Sequence, residues 1–282
     1  MKVLSSFQNG DTQVTIYDNG DRIMDGDFNL QFPMNIDIRV STKCAFGQRD
    51  DGSFVLCSFC HESAKVNGVD CDYELLKEKL VGLPMIELAI GCNELTQDLF
   101  NFLAWAKDKF ICNLTINSGH IKRDEKLLRQ CIDQGLVKGV GVSYRKGIPI
   151  PQWILDYEHT VVHTIVAIDD VDDLKSKGFK KILVLGCKDF GFNVGKVDQE
   201  AIREWYRRIP ELLTNPVAFD NLAVEQLNMR RFYSQEQWDI LHQGEYSMYI
   251  DAVAQVYAPS SRSNDRQSWD TPLTQYFQSL DK

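Results

Sequence analysis

The sequence has no apolar run near the roughly 20 residues that a membrane-spanning helix needs. Its start, Met1-Lys2-Val3-Leu4-Ser5-Ser6-Phe7-Gln8, lacks the apolar core of a signal peptide. A cytoplasmic protein with no membrane partner is therefore expected. Positive charge is also scarce: 31 Lys and Arg stand against 40 Asp and Glu, a net charge of −9. That balance disfavours nucleic acid as a partner, because a broad nucleic-acid surface needs a basic face. No internal repeat and no long linker is present, which excludes a solenoid. The segment Gly186-Cys187-Lys188-Asp189-Phe190-Gly191 has no Gly-rich loop or His-Arg-Asp to accompany it, which excludes a kinase reading.

What is present is an ordinary globular composition, 44% hydrophobic and 25% charged, in a chain long enough for one large domain or two small ones. Residues 1–32 read as an N-terminal β-hairpin region, with Asn9-Gly10-Asp11 and Asn19-Gly20 as turns between β-prone runs. Strands and helices then alternate. Strands are expected over Asn35–Val40, Met85–Ile90, Ile111–Asn117, Val137–Ser143, Thr160–Ala167 and Lys181–Leu185. Helices are expected over Asp72–Val81, Thr96–Phe110, Lys122–Gln134, Gln152–Asp156, Asp169–Lys177 and Asp198–Leu213.

Six such units imply an α/β fold with a parallel sheet and right-handed crossovers over residues 33–219. Residues 220–282 form a small C-terminal extension. Val217–Phe219 is expected as a last strand just before it, and within it Ser247–Ile250 and Ala254–Tyr257 are expected as strands, Leu222–Leu227 and Gln235–Gln243 as short helices, and Pro259–Ser268 as an exposed, turn-prone stretch.

Eight cysteines in a cytoplasmic chain are not expected to form disulfides. Cys71, Cys92, Cys112, Cys131 and Cys187 are scattered and behave as small hydrophobes. Cys44, Cys57 and Cys60 cluster after the first strand, with His61-Glu62 immediately following. Together with His61 they could make a structural zinc site on a non-catalytic α/β protein. Adjacent residues such as Cys60 and His61 seldom face one tetrahedral ion, and no second paired-cysteine element completes a zinc ribbon. Alternatively, three thiolates suit an iron–sulfur cluster with one iron left open. A loop at the carboxyl end of the first strand of an α/β sheet is where ligands bind in such folds.

The first strand followed by a three-cysteine loop ending Cys57-Ser58-Phe59-Cys60 resembles the radical S-adenosylmethionine (SAM) enzymes. The resemblance covers residues 35–190. The usual loop there is Cys-x3-Cys-x2-Cys. Here twelve residues separate Cys44 from Cys57, as though Gln48–Leu56 had been inserted. The resemblance implies a partial (β/α)6 TIM-like barrel and a [4Fe–4S] cluster held by Cys44, Cys57 and Cys60. It also implies reductive cleavage of SAM to a 5′-deoxyadenosyl radical, which abstracts hydrogen from the substrate.

By position it further places SAM near Phe59 and near Gly91-Cys92-Asn93-Glu94, where the family carries a Gly-Gly-Glu-like motif, with Asn93 or Glu94 on the ammonium. Asn117 and Ser143 fall where ribose and carboxylate are contacted, and Leu185 falls where adenine packs. A small-molecule or peptide substrate and an electron donor such as flavodoxin or ferredoxin are implied as partners. No catalytic residue can be assigned from the sequence.

Strand ends and the later chain offer Tyr144, Arg145, His163, Lys188, Asp189 and the Asp220–Arg231 stretch for the substrate pocket, with His163 favoured as an internally hydrogen-bonded histidine. A deazapurine-forming enzyme resembling 7-carboxy-7-deazaguanine synthase is the alternative within the family. The excursion Gln48–Leu56 is expected to fold over the mouth of the cluster site while the thiolates keep ordinary spacing.

Overall fold

The computed structural model describes residues 1–18, 22–26, 30–213, 216–235, 238 and 246–280. The expected Asn19-Gly20 turn and most of the expected helix over Gln235–Gln243 lie outside the described residues.

The N-terminal strands β1 (Val3–Asn9), β2 (Thr12–Tyr17) and β3 (Arg22–Gly26) form a separate antiparallel sheet in sequence order. It is tied to the main body through its first turn. Gly10 N donates to Met85 O at 2.7 Å, and Glu87 N donates to Asn9 Oδ1 at 3.0 Å. That engagement takes up the Met85 backbone, so the second expected strand of the main sheet begins at Glu87 and not at Met85.

The main sheet contains β4 (Asn35–Arg39), β6 (Glu87–Cys92), β7 (Ile111–Asn117), β8 (Gly139–Ser143), β9 (Thr160–Ile165), β10 (Ile182–Leu185) and β11 (Val217–Phe219), neighbours in chain order and all parallel. On the other side of β4 lies β12 (Ser247–Asp251), also parallel, followed by antiparallel β13 (Val256–Ala258) and β14 (Gln267–Ser268). The expected six parallel strands are thus eight. Part of the C-terminal extension continues the main sheet, and Pro259–Ser268, expected as exposed coil, ends in β14.

The helices are α1 (Tyr73–Leu80), α2 (Gln97–Ala106), α3 (Ile121–Asp133), α4 (Gln152–Asp156), α5 (Val171–Lys177), α6 (Gln199–Arg208), α7 (Asn221–Gln226) and α8 (Leu273–Ser279). Asp72, Thr96, Asp170, Asp198 and Asp220 cap α1, α2, α5, α6 and α7 with side-chain oxygens on first-turn N–H groups. α6 stops short of the expected Leu213 because Pro210, which has no N–H to give, sits in a 3₁₀ turn at its end. No sequence reading anticipated α8.

Side chains alternate across the strands. One set of positions (Ile36, Ile38, Leu88, Ile90, Leu114, Ile116, Val140, Val142) is buried with Leu76, Leu99, Phe102 and Leu128 of the helices. Val162, Ile182 and Val184 continue that set and pack on Leu174, Ile202 and Trp205. The buried parallel-strand residues of the two clusters from β4 to β10 and in β12 share one parity, and Val217 and Phe219 of β11, paired with Ile182 and Val184, join the same side, so the helices packed on these clusters cover one face. The other face carries Asp37, Glu87, Asn113, Thr115 and His163, and none of them belongs to either cluster.

Candidate functional site

The carboxyl ends of the parallel strands hold the cysteines. Cys44 is not on the loop expected after the first strand but on a short strand, β5 (Lys43–Gln48). β5 is steadied by bridges of Lys43 and Gln48 to Lys65, with Gln48 N on Ala64 O at 3.0 Å. The excursion then turns back on β5 as a tight hairpin. Arg49 N donates to Ser53 O at 2.8 Å, and Asp51 Oδ1 accepts from the Ser53 backbone and hydroxyl. Leu56 N and Cys57 N both donate to Phe46 O, at 3.2 and 3.1 Å, and Cys60 N donates to Cys57 O at 3.3 Å. The nine extra residues therefore leave and return at one point of β5, which brings Cys57 and Cys60 back beside Cys44. Phe54 of the excursion lies edge-on to Phe192 at 5.2 Å, and Phe192 N in turn donates to Cys60 O.

The three sulfurs lie within electrostatic range of one another. Burial pushes the Cys44 thiol up to about 11, and nearby Cys57 and Cys60 add to the shift. Cys60 is raised by burial, with Cys57 again contributing. Thiols that oppose each other's ionisation in this way are the donor set a cationic iron–sulfur cluster relieves, so the residues fit that group. Among the described residues, no three His, Cys, Asp or Glu side chains are grouped to hold a single metal ion. A tetrahedral zinc site draws its sulfurs to about 2.3 Å from one centre. His61 is not a fourth member: its Nε2 faces Glu62 Oε1 at 3.0 Å and Lys188 Nζ at 3.2 Å.

Three contacts fix the cysteine segment to the neighbouring strand ends. Ala45 N donates to Glu94 Oε1 at 3.1 Å, and Glu94 also pairs with Arg123 at 3.3 Å. Asn93 donates to Ser41 O at 3.3 Å. Both candidates for an ammonium acceptor are thus engaged by this segment. On the other flank Phe192 N donates to Cys60 O at 3.0 Å, and Gly191, at φ +59°, leaves only 2.2 Å between an added Cβ and His61 O. Only glycine serves at that position.

The remaining expected positions divide. Gly91 lies on the open face, and an added Cβ would come no closer than 3.6 Å to Ile38 O. The side chain of Cys92 is buried in the helix-covered core, its thiol pushed well up by burial and by Asp124, which leaves only its backbone toward the site. Asn117 accepts from Gly119 N at 3.0 Å and so caps a 3₁₀ turn. Ser143 and Leu185 are half-buried at the ends of β8 and β10 on the open face. Phe59 lies under the Arg145 guanidinium, 5.0 Å from ring to carbon. Tyr144, by contrast, is a core residue that hydrogen-bonds Asp173.

Several residues at the site gave no sequence signal. His120 Nε2 lies 3.7 Å from Cys44 Sγ, with its ring against Phe46 at 4.6 Å. Burial holds it neutral, down to about 4. Arg39 pairs with Asp251 at 2.8 Å and Glu62 at 3.0 Å, and Tyr249 donates to Glu62 Oε2 at 3.1 Å. These contacts join the first parallel strand, the last one and the cysteine segment. Burial raises the Glu62 pKa, but His61, Arg39 and Lys188 outweigh it and hold the carboxyl down to about 2. The alternation of polar and apolar residues along each strand was the available signal for the open face. No protein-family model matches the chain, and no curated protein matches it in sequence.

Proposed function

We propose that the chain is a radical SAM enzyme whose open sheet face is the substrate side. The observation that carries this reading is the meeting of Cys44, Cys57 and Cys60 at the carboxyl end of β4, over a polar face that neither apolar cluster of the described residues includes. Cys44, Cys57 and Cys60 would hold a [4Fe–4S] cluster. The cluster and SAM, when bound, supply reductive cleavage to a 5′-deoxyadenosyl radical and hydrogen abstraction from the substrate.

The chain's own part is positioning and exclusion. The backbone at Gly91, free of a side chain, lets a ligand approach the strand end. Phe59 and Arg145 offer a flat apolar surface beneath a cation. The loop after β10, locked on Cys60 O, restricts water on one side.

The same reading includes a curled sheet. Lys188, just beyond β10, acts electrostatically on Asp37 in the middle of β4. Five ladder steps separate β4 from β10, about 24 Å in a flat sheet at about 4.8 Å per step. Coupling at that remove favours strands wrapped as a barrel, open between β11 and β12.

Anaerobic reconstitution tests the reading. Wild-type protein should bind about four irons and form 5′-deoxyadenosine from SAM and dithionite. Cys44→Ala, Cys57→Ala and Cys60→Ala should each lose both. Iron-loaded protein that yields no 5′-deoxyadenosine with any reductant would sink the proposal, as would one zinc and no iron after anaerobic purification.

A further inference from the structure

The cysteine sulfurs gather N–H groups. The backbone N–H of Phe46 faces the Cys44 sulfur, and those of Glu62 and Ala64 face the Cys60 sulfur. Cys44 has one more neighbour of this kind, the side chain of His120, whose Nε2 lies 3.7 Å from Sγ. That separation is long for an oxygen acceptor but within reach of the larger sulfur atom. Among the described residues no other side chain hydrogen-bonds any of the three sulfurs.

The chain holds this imidazole from several directions. Asn117, at the end of β7, accepts from Gly119 N at 3.0 Å and closes the 3₁₀ turn Ser118–His120. Gly119 lies so close to Phe46 that an added Cβ would be 2.3 Å from Cζ of its ring. The same ring packs on the imidazole, with centroids 4.6 Å apart. Phe46 stands two residues after Cys44 on β5, so both side chains leave the strand on one side.

His120 also occupies the position before α3 where Ser, Thr, Asp or Asn usually caps a helix, yet its side chain caps nothing. It is 2% exposed and makes no other side-chain hydrogen bond among the described residues. The imidazole is thus turned from the helix toward the sulfur. A thiol can give its proton to an imidazole, but a thiolate bound to iron can only accept. Nε2 is therefore the donor once Cys44 is a ligand.

We propose that His120 donates an Nε2–H hydrogen bond to Cys44 Sγ in the cluster-bound protein and thereby raises the reduction potential of the cluster. The proposal rests on the reading of Cys44, Cys57 and Cys60 as ligands of a [4Fe–4S] cluster. Reduction adds one electron, taken from the reductant, and makes and breaks no bond; the proton stays on His120. The added negative charge falls partly on the thiolate sulfurs, so an N–H dipole aimed at one of them favours the reduced state. Burial away from water enlarges that effect.

The test is a mediated redox titration of the full-length chain, reconstituted anaerobically, reduced with dithionite and followed by electron paramagnetic resonance, with iron measured on every sample. His120→Phe keeps a ring against Phe46 and removes the donor. It should retain iron and lower the equilibrium constant for reduction about tenfold, the usual contribution of a charged hydrogen bond, which is about 59 mV for one electron. His120→Gln, which restores an N–H, should recover most of that shift. A further measurement needs no variant: wild type isotopically labelled at the histidine ring nitrogens should show a weak nitrogen coupling to the reduced cluster in pulsed resonance. The other imidazole beside the cysteines, His61, faces Glu62 and Lys188 instead.

An unchanged potential in iron-loaded His120→Phe, an equal fall in His120→Gln, or no imidazole coupling in reduced wild type would each overturn the proposal while leaving the cluster in place. Wild type that takes up no iron would overturn it together with the cluster reading.

Discussion

The two faces of the main sheet are made by the same eight strands and differ in nearly everything else. On one side Ile38, Leu88, Leu114 and Val142 are buried beneath helices. On the other, Asp37, Glu87, Asn113 and His163 alternate with glycines and stay accessible or half-buried. Burial of each large apolar side chain contributes roughly 1.5–3 kcal/mol, so cohesion comes from the covered side. The open side carries partly desolvated groups, an arrangement that weakens a fold unless a ligand completes it. Stability and chemistry are thus separated by the pleat, residue by residue.

Truncations to Ala on the two faces should separate most widely. Phe102, fully buried and within 5.7 Å of the rings of Tyr73 and Trp105, should cost about 3–5 kcal/mol on truncation to Ala. Thr115→Ala, on the open face, should stay within about 0.5 kcal/mol. Urea unfolding of the two variants measures the contrast, and equal losses would mean that the open face is packed after all.

Acid should act through the open face next. His163 titrates near 6.5 when unfolded and near 4 when folded, so between those values the unfolded chain binds the extra proton. It therefore carries no protonation penalty above about pH 6.5, and it destabilises the fold by up to about 3 kcal/mol as pH falls toward 4. His61 and His120 are lowered by burial as well. His163→Gln should accordingly reduce the slope of stability against pH in this window without abolishing it. An unchanged slope would place His163 in ordinary solvent.

The sequence made the strand–helix rhythm legible because period-2 and period-3.6 patterns report directly on which side is covered. Asp72, Thr96 and Asp198, the first residues of three expected helices, cap α1, α2 and α6. β12 was legible only as an isolated strand. Its place beside β4 depends on pairing across more than 200 residues, which no local pattern encodes.

The meeting of three thiols was suggested by spacing, whereas the device that brings them together, two N–H groups on Phe46 O, is backbone geometry and independent of side-chain type. Cys92 shows the opposite limit. Its position in a turn-like motif suggested the site, but strand parity sends its side chain into the core. For His163 the desolvation was foreseen, whereas its ring makes no hydrogen bond among the described residues, and a missing hydrogen bond leaves no trace in sequence.

Two glycines sharpen the contrast at the smallest scale. An added Cβ at Gly47, on β5, would sit 2.3 Å from Ala64 O, a backbone atom that also accepts from Gln48 N. Gly47→Ala must therefore move β5 away from its support, at about 1–3 kcal/mol. Since Cys44 lies on the same strand, reconstituted iron should fall with it. An added Cβ at Gly141 also collides, but with side-chain atoms, 2.4 Å from the imidazole of His163 and 2.8 Å from Thr115 Oγ1. Both are side-chain ends on a half-buried face and can turn aside, so Gly141→Ala should cost less than about 1 kcal/mol and leave iron binding intact. If Gly141→Ala destabilises as much as Gly47→Ala, the imidazole has nowhere to go, and the face described as open is filled.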